Sequence, residues 1–178
     1  MNKITTFCKK YFFEIITIVS FSVLTLSVIL QIFFDLRACE LCVVQRLEYT
    51  LLLIFGLGEM FLKRHFFKSA GRLKVLAASI LGLGTAVYTL WVTRPSALLL
   101  EIPENCVAPD SLLAGVLAFF GDISPTLYAV RGSCFDEPTR IFGIGMPTIS
   151  FFIFLGLVIF SIWVIIQERK GSYDQLGN

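Results

Sequence analysis

Four stretches of the chain are long and apolar enough to cross a membrane as helices. A helix needs about 20 apolar residues to span a hydrocarbon core of about 30 Å. The stretches that approach this length are residues 15–34, 43–62, 75–92 and 146–166. Only the second contains charged residues, which lie towards its two ends. The pattern predicts an all-α integral membrane protein, a four-transmembrane-helix bundle in a single membrane domain that comprises residues 1–178.

The distribution of basic residues predicts the orientation of the four spans. Lys and Arg concentrate in the cytoplasmic segments of membrane proteins, and here most of them lie in the N-terminal tail, the connector 63–74 and the C-terminal tail. We therefore expect both termini in the cytoplasm and two outer loops, 35–42 and 93–145. The first span exceeds the apolar core of a signal peptide and lacks a small-residue cleavage site after it, so we expect an uncleaved anchor.

The long second outer loop contains a short apolar helix. Asp110 is the predicted N-cap, with the first turn beginning at Ser111. Apolar residues follow at helical spacing, namely Leu112, Leu113, Val116, Leu117, Phe119 and Phe120. Because this segment is too short to cross the bilayer, we expect an interfacial helix on the membrane surface, and the alternative is that it packs on the bundle.

The composition agrees with a membrane protein and excludes several other classes. Hydrophobic residues make up 56% of the chain and charged residues 16%, with a mean hydropathy of +0.81. Such values exclude a disordered chain, a small secreted disulfide-rich protein and an ordinary soluble enzyme. The net charge of +2, without a dense basic run, does not indicate nucleic-acid binding.

The five cysteines separate by the predicted compartment. Cys39 and Cys42 lie in the short outer loop, Cys106 and Cys134 lie in the long one, and Cys8 lies in the cytoplasmic tail. Disulfides persist on the outer side of the membrane and not in the reducing cytoplasm. The two outer pairs can therefore be redox partners that exchange electrons, or two inert structural disulfides. We expect Cys8 to be dispensable.

The first outer pair has features that favour a reactive thiolate. Cys39 and Cys42 form a Cys-x-x-Cys motif, whose disulfide opens and closes readily. Cys42 falls in the first turn of the second span, where helix amides favour negative charge, and Arg46 lies four residues later on the same helical face. An Arg this close to hydrocarbon indicates a functional site. The alternatives are that Arg46 extends outward to the interface or pairs with Glu48.

A metal site is not predicted. Four outer cysteines could form a Cys₄ zinc site, but structural zinc sites usually use two closely spaced pairs, and Cys106 and Cys134 are far apart in sequence. The single histidine, His65, lies in the basic connector, on the opposite side of the predicted membrane.

These motifs together resemble the family of disulfide bond formation protein B (DsbB). The match consists of Cys39-Glu-Leu-Cys42-Val-Val-Gln45-Arg46 at the start of the second span, Gln31 eight residues before it, and Phe142-Gly-Ile-Gly-Met-Pro147 after Cys134. Four spans with one cysteine pair in each outer loop fit the same family, so the resemblance covers nearly the whole chain.

The resemblance implies a protein-dithiol:quinone oxidoreductase of the bacterial inner membrane, with its redox loops facing the periplasm. A soluble DsbA-like thioredoxin-fold oxidase, in its reduced form, would react through Cys106, and the released Cys134 would then engage Cys39. Cys42 would face a membrane quinone, ubiquinone or menaquinone, with Arg46 holding the developing negative charge. The redox disulfides would be Cys39–Cys42 and Cys106–Cys134. Some family members have a His near the outer end of the third span, where this chain has Thr93 and Arg94.

Two other functions are compatible with the same residues. A vitamin K epoxide reductase-like enzyme also couples thiols to a quinone in a four-helix membrane domain, but its Cys-x-x-Cys typically lies near the third or fourth span. A non-catalytic membrane adaptor, with two outer disulfides as structural cross-links, would keep Cys39 and Cys42 oxidised whether or not quinone is added.

Overall fold

Seven helices and one short hairpin make up the part of the chain that the computed structural model describes, which is residues 3–34, 38–61, 65–92, 111–130, 132, 140–141 and 144–176. The helices are α1 (Lys3–Lys10), α2 (Phe12–Phe34), α3 (Glu40–Phe61), α4 (His65–Val92), α5 (Leu112–Ile123), α6 (Pro125–Tyr128) and α7 (Met146–Leu176). The strands β1 (Arg140–Ile141) and β2 (Ile144–Gly145) pair antiparallel immediately before α7.

Four of these helices are long and apolar enough to cross a membrane, which confirms the predicted class of fold. Their candidate spans are Phe12–Phe33, Glu40–Phe61, Ala70–Val92 and Pro147–Lys170. The helices α4 and α7 extend well beyond the uncharged stretches of the sequence at one end of the bundle. Backbone hydrogen bonding continues outside an apolar segment, so hydropathy alone underestimates the length of these helices.

The bundle alternates in direction from one helix to the next. At one end, Gly56 near the end of α3 contacts Thr17 near the start of α2. Closer to the same end of the bundle, Arg72 near the start of α4 forms an ion pair with Glu168 near the end of α7. Lys9 of α1 donates a hydrogen bond of 2.6 Å to the carbonyl oxygen of Gln167. The two terminal segments therefore lie at the same end of the bundle, as an even number of crossings requires.

Aromatic and aliphatic side chains from all four long helices form the main core. The buried members are Phe12, Phe13, Ile16, Tyr49, Leu52, Val75, Ala78, Ala86, Phe154, Leu157 and Val164. The rings of Tyr49 and Phe154 stack with centroids 4.4 Å apart, and the rings of Phe12 and Phe160 stack at 5.5 Å. The second contact joins α2 to α7 and closes the bundle.

The helix of the long outer loop begins one residue later than the sequence predicted. Its N-cap is Ser111, whose side-chain oxygen accepts a hydrogen bond of 3.2 Å from the backbone N–H of Ala114. The prediction of Asp110 as the cap is therefore wrong, because the serine hydroxyl satisfies the donor that an N-cap serves; Asp110 itself lies outside the described residues.

The apolar face of α5 is divided between two environments. Leu117 is buried against α3 in a second cluster that also contains Ala38, Val43, Val44 and Tyr128. In contrast, Leu112, Phe119 and Ile123 are exposed. One side of α5 thus packs on the bundle, as one of the two alternatives states. The other side is exposed, and the predicted contact with the membrane surface concerns this side.

Candidate functional site

Cys39 and Cys42 lie together at the start of α3. Cys39 immediately precedes the helix, and its carbonyl oxygen accepts a hydrogen bond of 3.1 Å from the backbone N–H of Val43. The Cys39 thiol donates a hydrogen bond to the sulfur of Cys42, with the two Sγ atoms 2.9 Å apart. Cys39 is buried and Cys42 is half-buried. This helix turn thus holds two sulfurs at a separation from which a small rotation brings them to bonding distance, as a dithiol–disulfide couple requires.

Arg46 lies one helical turn below Cys42 and is bound from two directions. Its Nη1 donates to the Oε1 of Gln31 on α2 at 2.7 Å and to the carbonyl oxygen of Leu127 on α6 at 2.9 Å. Arg46 and Cys42 are four positions apart on α3, so their side chains lie on the same helical face. The guanidinium therefore lies beside the cysteine pair, within the bundle.

Glu48 is not the partner of Arg46, contrary to one of the alternatives drawn from the sequence. Its Oε2 accepts a hydrogen bond of 2.8 Å from the hydroxyl of Thr85 on α4. Positions 46 and 48 are separated by about 200° around a helix, so their side chains leave α3 in nearly opposite directions. The half-buried guanidinium of Arg46 is instead bound by Gln31 and Leu127.

A polar network joins α3 to α4 behind the cysteine pair. Gln45 donates to the hydroxyl of Thr89 at 3.4 Å, and Thr89 donates in turn to the carbonyl oxygen of Thr85 at 2.7 Å. Together with the Thr85–Glu48 hydrogen bond, these contacts give the buried side chains of Gln45, Glu48 and Thr89 partners within the protein. The network holds α4 against the face of α3 that points away from Arg46.

The segment between α4 and α7, the predicted second outer loop, docks on α3 through Tyr128. The ring of Tyr128 is buried in the cluster with Val43 and Val44, and its hydroxyl lies 2.6 Å from that of Thr50, within hydrogen-bond distance. Phe120 of α5 contacts the Tyr128 ring edge-on with centroids 5.5 Å apart. These contacts place α6, and with it the carbonyl of Leu127, against Arg46.

The same loop makes a main-chain contact beside the first cysteine. The backbone N–H of Gly132 donates a hydrogen bond of 3.2 Å to the carbonyl oxygen of Ala38. Ala38 directly precedes Cys39, and Gly132 is two residues before Cys134. Cys134 itself, like Cys106, Thr93 and Arg94, lies outside the described residues.

Several residues of this site were not assigned a role from the sequence. Gln31 entered only as part of a motif, although a polar side chain within an uncharged span is itself an indication of function. Thr50 and Tyr128 gave no local signal, and a backbone carbonyl such as that of Leu127 gives none in any sequence. Among the described residues, no three His, Cys, Asp or Glu side chains are grouped in a way that could hold a metal ion.

Comparison with known proteins identifies relatives along most of the chain. The model of the family described as disulfide bond formation protein DsbB matches residues 9–164. A protein named disulfide bond formation protein B from Xanthomonas campestris pv. campestris (strain 8004) is 29% identical over 150 residues, which are 82% of this chain and 84% of the relative. Proteins of the same name from Dechloromonas aromatica and Methylobacillus flagellatus are 28% and 26% identical, over 79% and 94% of this chain and 82% and 98% of their own lengths.

Proposed function

The chain belongs to the DsbB family of disulfide bond formation proteins, and from this membership we propose that it reoxidises a periplasmic DsbA-like dithiol oxidase and passes the two electrons to a membrane quinone. Family membership and four apolar helices make it a multi-pass membrane protein and an oxidoreductase of disulfide bond formation. The identity of the electron donor, the identity of the electron acceptor and the roles of individual residues are what we propose in addition.

The observation that carries the proposal is the arrangement of Cys39, Cys42 and Arg46. Two sulfurs 2.9 Å apart at the start of a membrane helix can exchange a disulfide for two thiols without moving the backbone. A fixed guanidinium next to them stabilises the negative charge that appears on Cys42 when the disulfide opens. An inert structural disulfide has no need of a half-buried cation on the same helical face.

The contact between Gly132 and Ala38 supports electron transfer between the two cysteine pairs. A residue two positions after Gly132 can lie at most ~7 Å from it, which supports a reaction between Cys134 and Cys39. In the proposed sequence, a thiolate of the reduced partner attacks Cys106, and Cys134 leaves as a thiolate. Cys134 then attacks Cys39, and Cys42 leaves as the thiolate.

The cycle closes with the return of both disulfides. The second thiolate of the partner attacks the mixed disulfide, so the partner leaves oxidised and Cys106 is released. Cys106 attacks Cys134, which restores the Cys106–Cys134 disulfide and leaves Cys39 and Cys42 reduced. A quinone, when bound, accepts the two electrons and two protons that this dithiol gives up as its disulfide reforms.

The donors of Arg46 fit the carbonyl oxygen of a quinone. Both protein acceptors are bound by the same nitrogen, Nη1. The guanidinium carries further N–H donors on Nε and Nη2, and we assign these to an acceptor beside Cys42. We propose that Arg46 holds the head group of ubiquinone or menaquinone at this point, and that the apolar tail lies in the bilayer.

We further propose that the protein lies in the bacterial inner membrane with the cysteine pairs on the periplasmic side. The concentration of Lys and Arg in the tails and in the connector 63–74 supports this orientation. The contact between Lys9 and Gln167 agrees with it, since it brings both terminal segments to the end of the bundle opposite the cysteine pair.

Turnover by the purified full-length chain tests the proposed function. The assay combines a reduced thioredoxin-fold dithiol protein with a soluble ubiquinone analogue and follows quinone absorbance. We expect Cys42→Ser and Cys106→Ser to abolish turnover and Cys8→Ser, the matched control, to retain it. Turnover that survives either of the first two replacements would contradict the assigned roles.

Thiol counting separates the enzyme from a non-catalytic adaptor. The chain is reduced, incubated with or without the quinone analogue, and alkylated. An enzyme loses the Cys39 and Cys42 thiols only when quinone is present, whereas an adaptor gives the same count in both samples.

A further inference from the structure

The geometry points to Gln31 and Tyr128 as positioning residues that together fix the guanidinium of Arg46. Gln31 does so directly, and Tyr128 does so by holding the Leu127 carbonyl in place. This inference rests on the proposed function, in which Arg46 serves the quinone and the Cys42 thiolate. It assigns part of the active-site geometry to the outer loop.

Gln31 holds Arg46 from the side of α2. It is 9% exposed and lies near the C-terminal end of α2, whose one charged residue, Glu14, lies at the opposite end. Its Oε1 accepts from Nη1 of Arg46 at 2.7 Å, the shorter of the two hydrogen bonds. A neutral acceptor binds the guanidinium without cancelling its charge, which a carboxylate at this position would do.

The outer loop holds Arg46 from the opposite side. The acceptor there is the carbonyl oxygen of Leu127, and the next residue, Tyr128, anchors it to α3. The hydroxyl of Tyr128 is 2.6 Å from that of Thr50, and Thr50 lies one turn below Arg46 on the same helix. Tyr128 is only 6% exposed. Arg46, Leu127, Tyr128 and Thr50 therefore form a closed loop of contacts between α3 and α6.

Two acceptors on one nitrogen determine the plane of the guanidinium. With only one acceptor, the group can rotate about that hydrogen bond, and the directions of Nε and Nη2 become variable. Donors that are already oriented need no reorganisation when charge develops in front of them. We therefore expect the loss of either acceptor to weaken both the binding of the quinone head group by Arg46 and the stabilisation of the Cys42 thiolate, although the charge of Arg46 is unchanged.

The test measures quinone reduction by full-length Gln31→Leu, Tyr128→Phe and Thr50→Val variants with a ubiquinone analogue and a reduced thioredoxin-fold protein. We expect the KM for quinone to rise by about 10-fold in Gln31→Leu, which removes a hydrogen bond to a charged group, and by about 5-fold in the other two. The KM for the protein substrate should not change. The double variant of Tyr128 and Thr50 should equal Thr50→Val, because that variant has already lost the Tyr128–Thr50 hydrogen bond. Thr50→Val also removes the hydrogen bond of 2.9 Å that the Thr50 hydroxyl donates to the carbonyl oxygen of Arg46.

Two controls separate positioning from general damage. Tyr88→Phe removes the hydroxyl of an exposed tyrosine on α4 and should leave the KM unchanged. Thr50→Ser keeps the hydroxyl and should restore the wild-type KM. Equal KM values for Thr50→Ser and Thr50→Val, or an equal effect of Tyr88→Phe, would overturn the inference.

A second measurement is independent of quinone turnover. In a chain whose only cysteine is Cys42, the rate of alkylation by a small neutral reagent reports how well Arg46 stabilises the thiolate. We expect this rate to fall several-fold on adding Gln31→Leu or Tyr128→Phe. If the wild-type chain reduces no quinone, the proposed function fails while this rate still tests the positioning. Rates within twofold of the parent chain for both variants would overturn the positioning role.

Discussion

The backbone N–H of Gly132 donates a hydrogen bond to the carbonyl oxygen of Ala38 at 3.2 Å. This contact joins the two predicted outer loops at a point one residue from Cys39 and two residues from Cys134 along the sequence. Neither side chain takes part, so the juxtaposition depends on the path of the main chain.

The first prediction is that Cys39 and Cys134 form a disulfide when they are the only cysteines left. A disulfide requires Cα atoms about 4.4–6.8 Å apart, and the hydrogen bond between Gly132 and Ala38 limits how far apart positions 39 and 134 can lie. The chain with Cys8, Cys42 and Cys106 replaced by Ser is oxidised mildly, and the cross-linked peptide is identified by mass spectrometry. The matched chain, which keeps only Cys42 and Cys106, should cross-link more slowly; the reverse order would contradict the prediction.

The second prediction concerns the type of cation at position 46. Arg46→Lys keeps the charge, but an ammonium group lacks the planar set of donors that serves Gln31, Leu127 and a third acceptor together. We expect kcat/KM for quinone to fall about 10-fold in Arg46→Lys, which is the effect of losing one hydrogen bond to a charged group. In Arg46→Ala it should fall further. Steady-state kinetics with varied quinone provides the measurement. Full activity of Arg46→Lys would show that charge alone is sufficient.

The third prediction concerns the buried carboxyl group of Glu48. Thr85→Val keeps the shape of the side chain and removes the donor that lies 2.8 Å from Oε2. We expect the free energy of unfolding to fall by about 1 kcal/mol, since interhelical hydrogen bonds in membranes are of this order. Denaturant titration in detergent micelles measures the change. Thr85→Ser keeps the hydroxyl and should remain within experimental error of the wild type.

The fourth prediction compares two glycines on α4. A Cβ at Gly82 would collide with the ring of Phe154, which is fully buried and stacked on Tyr49, whereas a Cβ at Gly84 meets nothing within 4 Å. Gly82→Ala should therefore lower the free energy of unfolding by about 1–3 kcal/mol through overpacking. Gly84→Ala should be neutral or slightly stabilising, because alanine favours the helix. Thermal unfolding in detergent ranks the two variants, and equal melting temperatures would contradict the prediction.

The sequence by itself determined the number and approximate position of the membrane helices. Hydrophobic length is a local property, so each apolar stretch predicts its own helix without reference to the others. The Cys39–Cys42 spacing and the position of Arg46 one turn later are also local, because the geometry of a single helix relates them. The motifs around these residues were sufficient to indicate the DsbB family, and the match to the model of that family confirms it.

Only the tertiary structure decided what Arg46 binds. Its partners lie on α2 and in the outer loop, 15 and 81 positions away along the chain, and one of them is a backbone carbonyl that no side-chain pattern encodes. The separation of Arg46 from Glu48 follows from the helical turn between them, but the choice of Thr85 for Glu48 depends on how α4 packs. The division of α5 between a packed and an exposed side depends likewise on where α3 lies. Local patterns therefore predicted the helices and the reactive pair, whereas contacts between distant segments determined the surroundings that make the pair a site.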